Sequence, residues 1–155
     1  MKLTEFCRDD LVCVTPETTL QQAASLMEDQ GVGCLIVMDG TEHRKPIGLV
    51  TDRDLVSKGV ALDLKMSSAT VREVMSKDLV RAAVEEDVLT AVKLMEERRV
   101  RRLLIVNQLG EVEGIVTSDD LVRAVSDELA SIGRIYAEQS RHAQRNRARD
   151  FTRMA

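Results

Sequence analysis

The sequence has no tryptophan and only three aromatic residues, Phe6, Tyr136 and Phe151, all outside the stretch from Cys7 to Ile135. A body without aromatic rings offers no stacking platform for single-stranded bases. Long apolar runs are also missing. The longest, Val32 to Met38, suits a strand and falls far short of the roughly 20 residues that span a bilayer. Charged residues appear by Lys2, Glu5 and Arg8, which leaves no apolar core for a secretory signal, so a cytoplasmic location without membrane contact is expected. Histidine is scarce. His43 and His142 are the only groups with an ordinary titration near neutral pH, and neither sits near a Cys or Ser in a nucleophile motif. Cys7, Cys13 and Cys34 show no Cys-x-x-Cys spacing and are read as buried reduced thiols. Hydrolase elbows, Walker loops, dinucleotide fingerprints and paired metal ligands are all missing. The expectation is a protein that is not an enzyme, with no catalytic residues and no metal site.

The 155 residues are 44% apolar and 31% charged, the balance of a globular chain that folds as one domain or as two small halves sharing a core. The net charge of -4 is unevenly spread. From Arg134 onward six arginines face only Glu138 and Asp150, giving a tail of +4 and a body of -8. An acidic body is not the footprint of a domain that tracks nucleic acid across its main face.

The dominant feature is an internal repeat. A shift of 68 lays Leu11–Met38 on Leu79–Val106, and a shift of 66 lays Gly48–Val56 on Gly114–Val122, with 15 identities in 37 positions. Chance would give about two or three. Each copy reads strand, helix, strand, strand, helix. Opening strands are expected at Leu11–Val14 and Leu79–Ala83. Stripes of Leu20, Ala23, Ala24 and Met27, then Val88, Ala91, Val92 and Met95, carry the spacing of amphipathic helices. Thr18 with Gln21 is read as a capping box, next to a turn at Pro16. Continuous apolar runs at Cys34–Met38 and Leu103–Val106 suit buried strands, and third strands follow at Ile47–Val50 and Gly114–Val116. Ser57–Thr70 has the composition of a surface connection. Copies of this size bury too little apolar surface alone, so the halves are expected to pack face to face about a pseudo-twofold axis. The fold class is α/β (α+β), two β-α-β-β-α repeats with a C-terminal helical extension.

In both copies the third strand runs into Thr-x-x-Asp at a helix start, Thr51 to Asp54 and Thr117 to Asp120. Two readings stand. The motif is a cap that satisfies orphan helix amides. Alternatively, the helix N-terminus and the Thr hydroxyl receive a phosphate while the Asp carboxylate accepts both hydroxyls of a ribose. Met27, Met95 and the cysteines read as core, and His43 as a solvated turn residue.

The duplicated Gly48-Leu-Val-Thr-x-x-Asp54 and Gly114-Ile-Val-Thr-x-x-Asp120, with Val71-Arg-Glu-Val-Met75 ahead of the second copy, resemble a tandem pair of cystathionine beta-synthase (CBS) domains, or Bateman module. The resemblance covers about residues 3–126. It implies a regulatory sensor of an adenosine ligand (AMP, ADP or ATP, or else NAD or S-adenosylmethionine), with no required cofactor. The adenine would lie between apolar strands, with the Asp on the ribose and the Thr by the phosphates. Arg101 and Arg102 are similar to basic residues that contact phosphate in the gamma subunit of AMP-activated protein kinase. Guanidinium forks match phosphate geometry, although arginines that simply solvate a strand end would look the same. Gly33 and Cys34 replace that pair in the first copy, so one occupied site per chain is expected.

The implied organisation is a first CBS domain at 3–58, a linker at 59–70, a second domain at 71–126 and a basic, helical or partly disordered tail at 127–155. Homodimers formed through exposed helices are also implied. Leu121, Val125, Leu129, Ile132 and Tyr136 continue a helical stripe into the tail, with Gly133 as an interruption and Arg141, Arg145 and Arg149 on one face. This tail is either a solvated extension or a contact for a partner protein, a second subunit or nucleic acid. The competing function is a dimeric interaction scaffold whose nucleotide site is vestigial.

Overall fold

The computed structural model describes residues 2–40 and 45–153, excepting the side chains of Thr4 and residues 140–153. The expectations for His43 and for the side chains of Arg141, Arg145 and Arg149 lie outside the described residues. The chain divides into two compact units, Met1–Ser118 and Asp119–Ala155.

The first unit holds two sheets of the same design. In the first, β1 (Cys13–Val14) pairs parallel with β2 (Cys34–Met38), which pairs antiparallel with β3 (Pro46–Thr51). In the second, β4 (Arg81–Ala83), β5 (Arg102–Val106) and β6 (Val112–Thr117) repeat that order, and each β2/β3-type ladder carries an irregularity at the matching place. The opening strands are shorter than expected. Leu11 and Leu79 leave the ladder to pack in an apolar cluster with Ile36, Leu104 and Val112, which joins the two sheets.

Helices α1 (Leu20–Gln30) and α4 (Val88–Arg98) bury Leu20, Ala23 and Met27, and Val88, Ala91 and Met95. Full burial of such a side chain stabilises by about 1.5–3 kcal/mol. The expected stripe is too wide: Ala24 and Val92 stay exposed in both copies. The cap of α1 is also displaced by one residue. Thr19 and Gln22 form the box, with Gln22 N donating to Thr19 Oγ1 at 3.2 Å and Thr19 N to Gln22 Oε1 at 3.0 Å. Thr18 instead closes the preceding turn, where its hydroxyl accepts from Thr15 N at 3.2 Å. Both helices end on a left-handed residue, Gly31 with φ 63° and Arg99 with φ 53°.

Helix α2 (Asp52–Ala61) continues into the segment expected to be a linker, and the rest of that segment is not wholly on the surface. Ala69 is buried, and its carbonyl accepts from Leu20 N at 2.9 Å. The short α3 (Val71–Val74) follows.

Each repeat receives the segment that precedes the other. Ser76 and Leu49 exchange N–H···O bonds of 2.8 and 2.9 Å, and Arg8 and Ile115 exchange two of 3.0 Å. Val71 N donates to Thr18 O at 2.9 Å, and its counterpart Leu3 N donates to Glu86 O at 3.2 Å. These reciprocal crossings are the pseudo-twofold relation in hydrogen bonds. They also explain two glycines. A Cβ on Gly114 would stand 1.9 Å from Cys7 Sγ and 2.8 Å from Arg8 O, and one on Gly48 would stand 2.7 Å from Met75 Sδ.

The second unit is helical. The 36-residue α5 (Ser118–Arg153) begins on the last residue of the first unit and runs without a break through Gly133, so the expected interruption is corrected. One missing side chain costs a helix about 1 kcal/mol and does not by itself end it. Val125, Leu129, Ile132 and Tyr136 of the expected stripe are exposed, while Leu121 is buried.

Candidate functional site

Thr51 ends β3 and caps α2, and this junction is held by its own side chains. Asp54 N donates to Thr51 Oγ1 at 3.2 Å, and Asp54 Oδ2 accepts from Thr51 N at 3.0 Å and from Thr51 Oγ1 at 2.7 Å. The capping reading therefore describes the first copy. The other carboxylate oxygen is engaged too, since Asp54 Oδ1 lies 2.8 Å from Lys58 Nζ. Partial burial pushes the Asp54 carboxyl up, but hydrogen bonds from Lys58 and Thr51 together outweigh it and hold the group below the ordinary carboxylate range. Lys58 Nζ also donates to Val74 O at 2.6 Å.

In the second copy Thr117 ends β6 directly across the ladder from Arg102. Ser118 N donates to Arg101 O at 2.9 Å, so the arginine pair sits where the strand meets the start of α5. Arg102 and Thr117 are thus ladder partners at the end of β6. The same ladder position in the first copy pairs Cys34 with Thr51, and Asp52 N donates to Gly33 O at 3.3 Å. The backbone is repeated and the cations are not. Asp120 lies in the first turn of α5 and is the buried charged residue among the described residues.

The two copies also meet electrostatically. Burial pushes the Cys34 thiol up to about 11, with Arg102 opposing the shift and Asp54 and Asp52 adding to it. Arg102 of the second copy thus acts on the strand that leads to the first motif.

A family model for the CBS domain matches residues 3–60 and 71–127. The chain belongs to the CBS domain family. An uncharacterized protein of Methanopyrus kandleri is 34% identical over 119 residues, which span 77% of this chain and 60% of that protein. The CBS domain protein of Pyrobaculum aerophilum complexed with AMP is 22% identical with a TM-score of 0.73, covering 84% of this chain and 99% of that one. The CBS domain pair of protein MJ0100, in complex with 5-methylthioadenosine and S-adenosyl-L-methionine, is 23% identical with a TM-score of 0.72 and covers 83% and 98%. At these identities the two structures share the fold.

Sequence reasoning missed two features of the first CBS repeat. One is Lys58, whose signal was its place four residues after Asp54, on the same helix face. The other is a groove of about 880 Å³ between α1 and α2, lined by Met27, Leu55, Val60 and Met66 and by Glu28 and Asp52. Exposed Ala24 belongs to its wall. Neither Thr51 nor Asp54 lines it. Among the described residues, no group of His, Cys, Asp and Glu could hold a metal ion, and no helix is long and apolar enough to cross a membrane.

Proposed function

We propose that this chain is a regulatory binding module that takes up an adenosine-containing ligand, AMP, ADP or ATP above all, at the second CBS motif. The carrying observation is the pairing of Arg102 with Thr117. Asp120 accepts the ribose hydroxyls, Thr117 and the opening amides of α5 receive phosphate oxygens, and Arg101 and Arg102 supply the charge. The sites named by sequence for the first copy, Thr51 and Asp54, are secondary in this reading. The AMP, methylthioadenosine and S-adenosylmethionine complexes of proteins with this fold support the ligand class. The module performs no chemistry and works in the cytoplasm. Bound ligand signals by favouring one packing of the repeats over another, which requires different affinities for the two.

Thermal unfolding with AMP, ADP, ATP, NAD and S-adenosylmethionine tests this. Ligand at about 100 times its Kd adds roughly 2.7 kcal/mol, which raises the midpoint by roughly 5–10 °C in a chain of this size. No rise with any of the five at millimolar concentration overturns the reading.

A second reading is favoured by exposed apolar side chains at Val56 and Val60 on α2, and at Val122, Val125, Leu129 and Ile132 on α5. They suit a homodimer, with the basic tail recruiting a protein partner. A monomeric mass by light scattering at micromolar concentration would remove it.

A further inference from the structure

We propose that Lys58 closes the first CBS motif to ligand, so that the chain takes up one adenosine ligand although its motif is present twice. This rests on the function proposed above. A carboxylate offers about four lone-pair positions, and a ribose cis-diol needs two of them. Asp54 has committed three, to Thr51 N at 3.0 Å, Thr51 Oγ1 at 2.7 Å and Lys58 Nζ at 2.8 Å. Thr51 fills Oδ2 and Lys58 leaves one position on Oδ1, so a diol that needs two positions on Oδ1 must displace the ammonium from it. The ammonium is itself tethered, because it donates to Val74 O at 2.6 Å at the end of α3. That carbonyl stands at a helix C-terminus, where a cation is favoured. Lys58 thus bridges the first motif to the segment that leads into the second repeat.

The duplication supplies the internal comparison. The shift of 66 that lays Asp54 on Asp120 lays Lys58 on Ala124, a side chain with no charge. The first copy also lacks the arginines, with Gly33 and Cys34 in their places. The two motifs therefore differ at two sets of matching positions. The first carries Lys58 where the second carries Ala124, and the second carries Arg101 and Arg102 where the first carries Gly33 and Cys34.

Equilibrium dialysis with AMP counts the sites. One AMP per chain is expected for the wild type, two for Lys58→Met, and one for Lys58→Arg, which keeps the charge. Lys58→Gln keeps a donor for Val74 O and is also expected to bind two, so the test survives if the Met variant does not fold. Adding Asp120→Asn to Lys58→Gln should return the count to one and locate the new site. Two sites in the wild type, or one or none in both neutral variants, overturn the lock while the wild type's own binding keeps the sensor reading. No binding by any of these proteins overturns both.

Discussion

Arg102 stands opposite Thr117 in the β5–β6 ladder, at the strand end where α5 begins. Its counterpart in the first repeat, Cys34, stands opposite Thr51. A duplicated backbone therefore presents a cation at one motif and a thiol at the other.

Arg102→Ala should weaken AMP binding by about 1.5–3 kcal/mol, the worth of a hydrogen bond to a charged group. Binding of unphosphorylated adenosine should be unchanged. Calorimetry with the two ligands separates a phosphate contact from a general loss of structure, and equal losses for both would refute the phosphate role.

Cys34 should resist alkylation. A thiol pushed up to about 11 holds little thiolate at pH 8, roughly 100-fold less than one with an ordinary pKa. Exposed Cys13 should react first with iodoacetamide. Because Arg102 opposes the upward shift, Arg102→Ala should slow Cys34 further. Peptide mapping after timed labelling reads both, and a Cys34 that labels as fast as Cys13 contradicts the electrostatics.

Gly114→Ala should destabilise by about 1–3 kcal/mol, the range of overpacking, because the new methyl meets the Arg8 carbonyl at 2.8 Å. Gly48→Ala should cost less. Its nearest contact is the flexible Met75 side chain, and the Ser76 carbonyl is 3.2 Å away. Urea denaturation ranks the two, and the reverse order would mean that the crossing segments yield easily.

Arg99→Gly should stabilise by about 1 kcal/mol. Arg99 holds a left-handed backbone with φ 53°, where the first repeat has Gly31, and that conformation costs a side-chain-bearing residue roughly 1–2 kcal/mol. Part of the gain is lost to the greater freedom of glycine in the unfolded chain. A lower midpoint for the variant would show that the Arg99 side chain makes compensating contacts.

The duplication was legible because it is local. Met27/Met95 and Leu35/Leu103 keep one spacing and Gly48/Gly114 and Asp54/Asp120 another, and with them came the element order, the buried strands and the Thr-x-x-Asp helix starts. The crossing of the leading segments was not legible, because nothing in Val71-Arg-Glu-Val-Met75 says that Ser76 will pair with Leu49 of the preceding repeat. For the same reason Ala69 read as surface. Thr18 and Thr19 differ as caps only through the turn that Thr15 closes, which adjacent residues of one type cannot reveal. Asp54 was named as a ligand residue, and the spacing to Lys58 was available, but the carbonyl of Val74 that fixes the ammonium lies beyond the helix.

The measurement that bears most directly on the sensor account is the ligand-induced rise in unfolding midpoint of the wild type and of Asp120→Asn, each taken against its own ligand-free value. The wild type should rise by several degrees with an adenosine nucleotide, and the variant should need roughly 10-fold or more additional nucleotide for the same rise, consistent with losing a charged hydrogen-bond partner. Equal rises at equal nucleotide would show that Asp120 serves only its own helix, and would contradict the account.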